Sequence, residues 1–508
     1  MNGPASPQHI TTICFTAQDL ALFSAASHDR NPLHVSEEYA RATPYGEPVV
    51  FGILGALAAL GQLPEGEAKV LQRVELEFRN PLMVGVPYRV KLDEPSADRA
   101  FVRLYDVARL MLKATFTFLP GLKQAPAHSI EEAASPLEAE DRQSGSFCAG
   151  DCLRGNYGPA ACQFEQVIER WGLTSKGATA MQIAAMMWAS FVVGMKLPGK
   201  RAMFWRLGLD FHPVDGHRNE PFSYELTIQG LDERIDLLHM LGSLFWGGRI
   251  CAAAQLWAFV RQDSPTPSLR QIINLAPPSD QLKGKVALVI GGSRGLGAAI
   301  TQALASQGCV VLVSYHHSKA EAEHIRTSLG DQSSLIELVQ GDAADVEWCE
   351  AMRQNVLAQY GGLDVLVCNA SPPIRPLAFA PEKLPQFQDF ITRTVALVGL
   401  PMSSFLDTLS ERSGWNVVIS SAFVRDLPAE WPHYVTAKYA VEGLVHWTSA
   451  QYPKLNSLLV RPPKLLTDQT NTPFGRQGAM QVEQVATAIV GRLSRPGLPQ
   501  TVQVLDTF

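Results

Sequence analysis

Two sets of residues in this chain have the types and spacing of working chemistry. The first lies in "HDRNPLHVSEEYARATPYGEPVVFG", residues 28–52, where Asp29 and His34 stand five apart around Asn31-Pro32. Such a pair can give and take protons on neighbouring atoms of one substrate. Asp, Asn and Pro are equally the ordinary residues of a tight turn ahead of a helix, so the stretch alone leaves both readings open. The second set is Ser421, Tyr434 and Lys438 in "SSAFVRDLPAEWPHYVTAKYA". Tyr and Lys four apart on a helix share a face, unless they merely decorate it. A free Tyr titrates near pH ~10, and an adjacent ammonium favours the phenolate and brings the phenol nearer to useful acid strength. Such a Tyr can protonate a carbonyl oxygen while hydride reaches carbon, with the Ser hydroxyl polarising the same oxygen.

The elements that must position the second set follow a clear alternation. From Lys283 onward, short runs such as "KVALVIG", "CVVLVSY", "LDVLVCNA" and "WNVVISS" are separated by helical stretches. This predicts a parallel, doubly wound sheet covered on both faces. The first strand runs into "IGGSRGLGAAITQALASQG", where Gly291, Gly295 and Gly297 permit a tight turn and let a pyrophosphate approach a helix N-terminus.

The elements around the first set occur twice. In both copies an apolar helix ends at Leu-Pro (Leu63-Pro64 and Leu197-Pro198), and a strand follows with an acid-Phe pair (Glu77-Phe78 and Asp210-Phe211). The offset is 134 residues at Leu63 and 133 at Phe78, so one deleted residue brings the copies into register. Alternating strands follow each helix, which predicts an apolar helix wrapped by an antiparallel sheet.

On these residues the chain resembles two families. "DRNPLH" at 29–34, "YARATPYGEPVVFG" and "FRNPLMVGVP" at 78–87 are similar to the MaoC-like (R)-specific enoyl-thioester hydratases, over about residues 8–120. The resemblance implies a hot-dog fold, with Asp29 and His34 flanking one water or the departing 3-hydroxyl. Asn31 would hold the loop or contact substrate, and the backbone N–H of Gly52 would donate to the thioester oxygen. The family usually has His before that glycine, where this chain has Phe51. The second copy has no Asp-x-Asn-Pro-x-His; its "YGPAACQFEQVIERW" carries neither Asp nor His. It resembles the non-catalytic half of a double hot dog, completing a pseudo-dimer and shaping an acyl tunnel.

"GGSRGLG" with Ser-x12-Tyr-x3-Lys resembles the short-chain dehydrogenase/reductases, especially the 3-oxoacyl-thioester reductases, over nearly all of 282–500. The resemblance places the cofactor on Gly291, Ser293, Arg294, Gly295, Leu296 and Gly297, with Tyr434 and Lys438 also at the cofactor. It puts Asp342 of "GDAAD" at the adenine and Asn369 and Ala370 of "CNAS" along the cofactor's central strand. The chain departs from the family at Ile290, at "CNAS", at "RPPKLLTD", and in lacking an Asn on "QFQDFITRTVALVGL". The proton relay behind Lys438 would then use water or a neighbour such as Thr394. NAD enzymes of this fold end the second strand with a carboxylate; here it ends "VSYHHSK", with Tyr315 at that place. Arg294, with Ser293 and His316, could give a 2′-phosphate a charge-assisted bond worth about 1.5–3 kcal/mol, which favours NADPH.

Length and composition bound the rest. At 508 residues the chain exceeds one compact core. Segments 121–145 and 261–281, rich in Pro, Ser, Ala and charge, read as linkers between 1–120, 146–260 and 282–508. A net charge of −6 offers no basic excess for a phosphate backbone, so nucleic acid is not an expected partner. Eight cysteines show no Cys-x-x-Cys or zinc-type spacing, which reads as reduced thiols in a cytoplasm and no metal site. The start "MNGPASPQHI" does not have the pattern of a signal peptide. The most apolar stretch, "AMQIAAMMWASFVVGM" from Ala180, is broken by Gln182 and too short to cross a bilayer, so it reads as a buried helix.

The expected architecture is an α+β double hot dog followed by an α/β Rossmann-like doubly wound parallel sheet. The expected function is NADPH-dependent reduction of a 3-oxoacyl thioester to the (3R)-hydroxyacyl thioester and its dehydration to the trans-2-enoyl thioester, as in polyketide or fatty-acid biosynthesis. Fusion keeps the intermediate in one particle. No Asp-Ser-Leu phosphopantetheine site is seen, so the acyl group would arrive on CoA or on a separate acyl carrier protein, and the resemblance implies at least a homodimer. The alternatives are a hot-dog binding or docking module beside an active reductase, a β-oxidation-type hydratase/dehydrogenase using NAD, and a scaffold inactive at both sites.

Overall fold

The computed structural model describes residues 11–65, 69–93, 98–120, 130–214, 220–495, 498 and 501–508. The N-terminal stretch read for a signal peptide, residues 1–10, and residues 121–129 of the first expected linker lie outside these. The chain divides into two compact units: one runs to Asp263 and takes in Thr472–Phe474, the other holds Ser264–Asn471 and Gly475–Phe508.

In the first unit, β1 (Thr12–Cys14), β2 (Lys69–Phe78), β3 (Pro87–Leu92), β4 (Arg99–Asp106) and β5 (Arg109–Pro120) come from the first copy. β6 (Cys152–Tyr157), β7 (Ala202–Phe211), β8 (Phe222–Asp232), β9 (Leu237–Trp246) and β10 (Arg249–Val260) come from the second. Among the described residues they form one sheet in the order β1-β3-β4-β5-β2-β7-β10-β9-β8-β6. The two copies join where β2 meets β7 antiparallel, with Glu75 opposite Gly208 and Leu76 opposite Leu207. The duplication offset of 133 residues carries Glu75 onto Gly208, so Glu75 faces its own equivalent at the centre of the seam and the flanking pairs are reciprocal, Val74 with Leu209 and Leu76 with Leu207. That is the register of an isologous dimer interface built within one chain. The Arg73 guanidinium, paired with Asp210, clamps the same seam.

Each copy contributes an apolar helix to the shared core. Gly52–Gly61 has Ile53 to Leu60 buried, and Ala180–Phe191 has Met181 to Phe191 buried. Helices this uniformly apolar are stable only when covered on all sides, at about 1.5–3 kcal/mol for each large side chain removed from water. Gln182, the polar interruption in the second helix, closes a capping box with Thr179 and donates to the Leu71 carbonyl. The helix then runs into a single wide π-helical turn, Val192–Lys196.

The described parts of both expected linkers are more ordered than their composition suggested. Residues 130–145 form an irregular strap whose backbone groups find partners on the second copy: Glu140 N–H donates to Met195 O (3.0 Å), and Lys200 N–H to Glu140 O (2.8 Å). Arg30 donates from the first copy to Pro136 O (2.9 Å) and Ser135 Oγ (3.3 Å). Within 261–281, Leu269–Leu275 is a helix capped by Ser268, and its Ile272 is fully buried in the core of the second unit.

In the second unit, β11 (Val286–Ile290), β12 (Val310–Tyr315), β13 (Ile336–Gln340), β14 (Val365–Cys368), β15 (Trp415–Ile419), β16 (Asn456–Val460) and β17 (Val502–Leu505) form a parallel sheet ordered β13-β12-β11-β14-β15-β16-β17. Strand order reverses between β11 and β14, which opens a crevice at the carboxyl ends of those strands. Apolar clusters cover both faces, so the central strands β11, β12 and β14 read as nearly unbroken apolar runs.

Candidate active sites

The helix Ala17–Ser27 starts at a capping box of Thr16 and Asp19 and stops at His28, whose φ of 58° turns the chain sharply. Asp29 follows, 2% exposed. Asn31 caps the short helix Pro32–Val35 through Leu33 N–H (3.0 Å), while its side-chain amide donates to the carbonyls of Gly194 (2.8 Å) and Gly199 (2.9 Å). Asn31 thus fastens the loop to the second copy. Asp29 Oδ1 accepts Asn31 N–H (3.1 Å), and Asp29 Oδ2 lies 2.7 Å from Ser190 Oγ. Gly194 covers the carboxyl; a Cβ there would stand 2.3 Å from Oδ1 and 2.6 Å from Oδ2.

His34 Nδ1 is 2.7 Å from the Val49 carbonyl, which can only accept, so Nδ1 carries the hydrogen and Nε2 the lone pair. The Phe51 ring, which stands where the resembled family usually has histidine, stacks on the His34 imidazole at 4.0 Å and 28°. Asp29, Asn31, His34, Gly52 and Ser190 all line one largely apolar cavity of about 520 Å³. Gly52 is the first residue of its helix and lines the cavity, and no side chain caps that end, so the partial positive charge of the helix start lies at the cavity wall.

Burial inverts the usual acid strengths of the pair. It pushes the Asp29 carboxyl up to about 7, against the opposing bonds from Ser190 and Asn31. It pushes the His34 imidazole down to about 4, with the Val49 carbonyl opposing. At neutral pH the imidazole is a neutral base, and the carboxyl holds a proton near the point of release, a division of labour suited to moving two protons on one substrate.

In the second unit the glycine turn closes on itself. Gly291 has φ 74°, and a Cβ on Gly297 would stand 2.0 Å from the Gly291 carbonyl. That carbonyl accepts Asn369 Nδ2 (2.9 Å), and Ala370 packs against Gly291. The following helix, Gly295–Ser306, has no side-chain cap. A dinucleotide fits this cradle, with its pyrophosphate on the uncapped helix end. Ser293 is buried, Leu296 packs into the core, Tyr315 closes β12 and His316 is exposed.

Ser421 is within bonding reach of Tyr434, and Lys438 Nζ sits 5.4 Å from the Tyr434 ring centre, donating to Ile419 O (2.8 Å). Burial lowers Lys438 to about 8, with Glu442 opposing. Phe390 and Phe423 meet the Tyr434 ring edge-on.

Two expectations need correction, the direction of the Tyr434 shift and the relay through Thr394. Tyr434 is raised rather than lowered: burial is the largest cause and the Ser421 bond only opposes it, so the phenol stays an acid. Thr394 donates to Phe390 O (2.8 Å) in its own helix and does not lie in a relay to Lys438. Behind Lys438 stands instead Glu442, held by Ser420 (2.5 Å) and by Arg461 (2.9 and 2.6 Å). Arg294 donates to Asp468 (3.1 Å), so a 2′-phosphate must compete with that carboxylate. Asp342, assigned to the adenine, is held through both oxygens by Arg393 (2.7 Å each). Sequence reasoning missed Ser190 and Gly194, although a serine inside an otherwise apolar buried helix was a visible signal. No group of three metal-ligating side chains occurs among the described residues, and no described helix is long and apolar enough to cross a membrane.

Comparison with known proteins matches residues 4–98 to the MaoC like domain and residues 285–473 to the short chain dehydrogenase family. The chain is therefore similar to the MaoC like domain in one stretch and, after it, to the short chain dehydrogenase family in another. General stress protein 39 of Bacillus subtilis is 35% identical over 92 residues, 18% of this chain, which spans only 32% of that protein. Hydroxynaphthalene reductase-like protein Arp2 of Metarhizium robertsii is 26% identical over 243 residues, 45% of this chain and 88% of that protein. Among solved structures, an alcohol dehydrogenase from the archaeon Thermococcus sibiricus, complexed with 5-hydroxy-NADP, is 26% identical over 44% of this chain and 94% of its own, with a TM-score of 0.40.

Proposed function

We propose that this chain reduces a 3-oxoacyl thioester with NADPH and dehydrates the resulting (3R)-hydroxyacyl thioester to the trans-2-enoyl thioester. The observation that carries the reading is the convergence of a proton-holding Asp29, a neutral His34 and an uncapped helix start on one apolar cavity.

In the dehydration, His34 Nε2 takes the proton from C2 while the developing enolate oxygen is stabilised by the backbone N–H of Gly52. Asp29 supplies the proton with which the 3-hydroxyl departs as water. The apolar walls, among them Leu82, Met111, Val193 and Phe204, suit an acyl chain. In the reduction, Tyr434 gives its phenolic proton to the ketone oxygen, Ser421 hydrogen-bonds that oxygen, and Lys438 holds positive charge beside the phenol. NADPH, when bound, supplies the hydride. Residues Tyr315–Lys319 after β12 bring no carboxylate against a 2′-phosphate, which supports NADPH over NADH. Exposed Trp447 and Tyr439 on the helix Pro432–Gln451 support pairing of two copies through this unit. The acyl group arrives on CoA or on a separate carrier protein in a biosynthetic pathway of the cytoplasm.

The test offers purified protein a 3-oxoacyl thioester on CoA and on carrier protein, with NADPH or NADH, and follows products by mass spectrometry. NADPH-dependent reduction followed by loss of one water supports the reading. Accumulation of the hydroxyacyl species alone would make the first unit a binding module.

A further inference from the structure

The second hot-dog copy lacks the Asp-His pair, yet it reaches into the cavity with one polar side chain. Ser190 lies 5% exposed on the helix Ala180–Phe191, lines the cavity, and places Oγ 2.7 Å from Asp29 Oδ2. The other partner of this carboxyl, Asn31 N–H on Oδ1, can only donate. Gly194 leaves no room for a further group on the covered side. A hydroxyl both donates and accepts, so Ser190 alone among these partners can serve both ionisation states of Asp29. When Asp29 is ionised, Ser190 donates to Oδ2. When Asp29 is protonated, Oδ2–H donates to Ser190 Oγ, and the serine hydrogen turns away toward the cavity.

We propose that Ser190 is a catalytic residue of the dehydration, the group through which the Asp29 proton reaches the departing hydroxyl. The inference rests on the dehydratase reading given above. In the step, His34 Nε2 takes the C2 proton and the C2–H electron pair forms the C2=C3 bond. The C3–O bond breaks, and its oxygen takes the Ser190 hydrogen to leave as water. The Asp29 proton passes to Ser190 Oγ in the same movement. Asp29 is left ionised and His34 protonated, and the released water carries the proton between them to restore the starting state. The second copy therefore supplies a reacting group and does more than complete the fold.

The experiment compares wild type with Ser190→Ala on a (3R)-hydroxyacyl-CoA, reading enoyl formation in mixtures of light and heavy water, with melting curves to verify folding. Two exchangeable hydrogens are in flight in the proposal, Asp29 to Ser190 and Ser190 to substrate. The expected result is a curved dependence of rate on deuterium fraction in wild type. In the folded Ala variant the rate falls at least tenfold and the dependence becomes linear, because a single proton now moves. Wild-type rate in the variant, or a slower rate with the curvature unchanged, overturns the role of Ser190. A wild type that forms no enoyl product from this substrate overturns the dehydratase reading and the proposal with it.

Discussion

Replacing Asp29 by Asn should stabilise the protein in a strongly pH-dependent way while abolishing dehydration. The native carboxyl sits near about 7 because burial disfavours its charge. In the unfolded chain it titrates near ~3.9. The folded state thus binds the proton more tightly. This group's contribution to stability is greatest below the unfolded value and is lost as pH rises through the folded value. Linkage over the shift of roughly three units gives a full loss of about 4 kcal/mol, of which about 2.5 kcal/mol falls between pH ~5 and pH ~8. Asn carries no charge and can still bond Ser190 and the Asn31 N–H, so the variant escapes this loss. Calorimetric melting of both proteins across that range should show the variant gaining on wild type by about 5–10 °C between pH ~5 and pH ~8, then running parallel. A gap that stays constant with pH would refute the reasoning, since it would mean that Asp29 ionises as it does in water.

Three other outcomes follow from the two sites. The dehydration rate should be bell-shaped in pH, falling below about 4 as His34 takes a proton and above about 7 as Asp29 loses one; stopped assays across that span check both limbs. Arg294→Ala should raise the KM for NADPH about tenfold and leave that for NADH unchanged, a smaller effect than a free guanidinium would give because Asp468 already holds Arg294. On the proposed pairing of two copies through the helix Pro432–Gln451, Trp447→Glu should give a monomer where wild type gives a dimer in size-exclusion chromatography with light scattering.

The parts of this fold that repeat locally were readable in the sequence. The central strands of the second unit are nearly continuous apolar runs, and the glycines of the turn at 291–297 mark their own geometry. The duplication was visible because Leu63-Pro64 and Glu77-Phe78 recur at a nearly fixed offset. What was not readable depends on contacts between distant residues. Ser190 meets Asp29 across 161 positions; a serine in an apolar helix marks itself, but only the fold shows that it bonds Asp29 and not its own backbone. The strap 130–145 has the composition of a linker because its backbone groups are satisfied by Met195 and Lys200 rather than by a regular ladder. Tyr434 was expected to be pulled down by Lys438, but charge reasoning from spacing omits burial, which here raises the tyrosine and lowers the lysine. Asp342 and Arg294 were assigned by position to the cofactor, and their pairing with Arg393 and Asp468 needed the tertiary structure.

The most direct measurement supplies a synthetic (3R)-hydroxyacyl thioester without nicotinamide and follows the rise of enoyl absorbance in wild type, His34→Ala and Tyr434→Phe. The account predicts enoyl formation by wild type and by Tyr434→Phe, and its loss in His34→Ala. Formation undiminished in His34→Ala, or absent in wild type, would contradict the assignment of dehydration to the Asp29–His34 cavity.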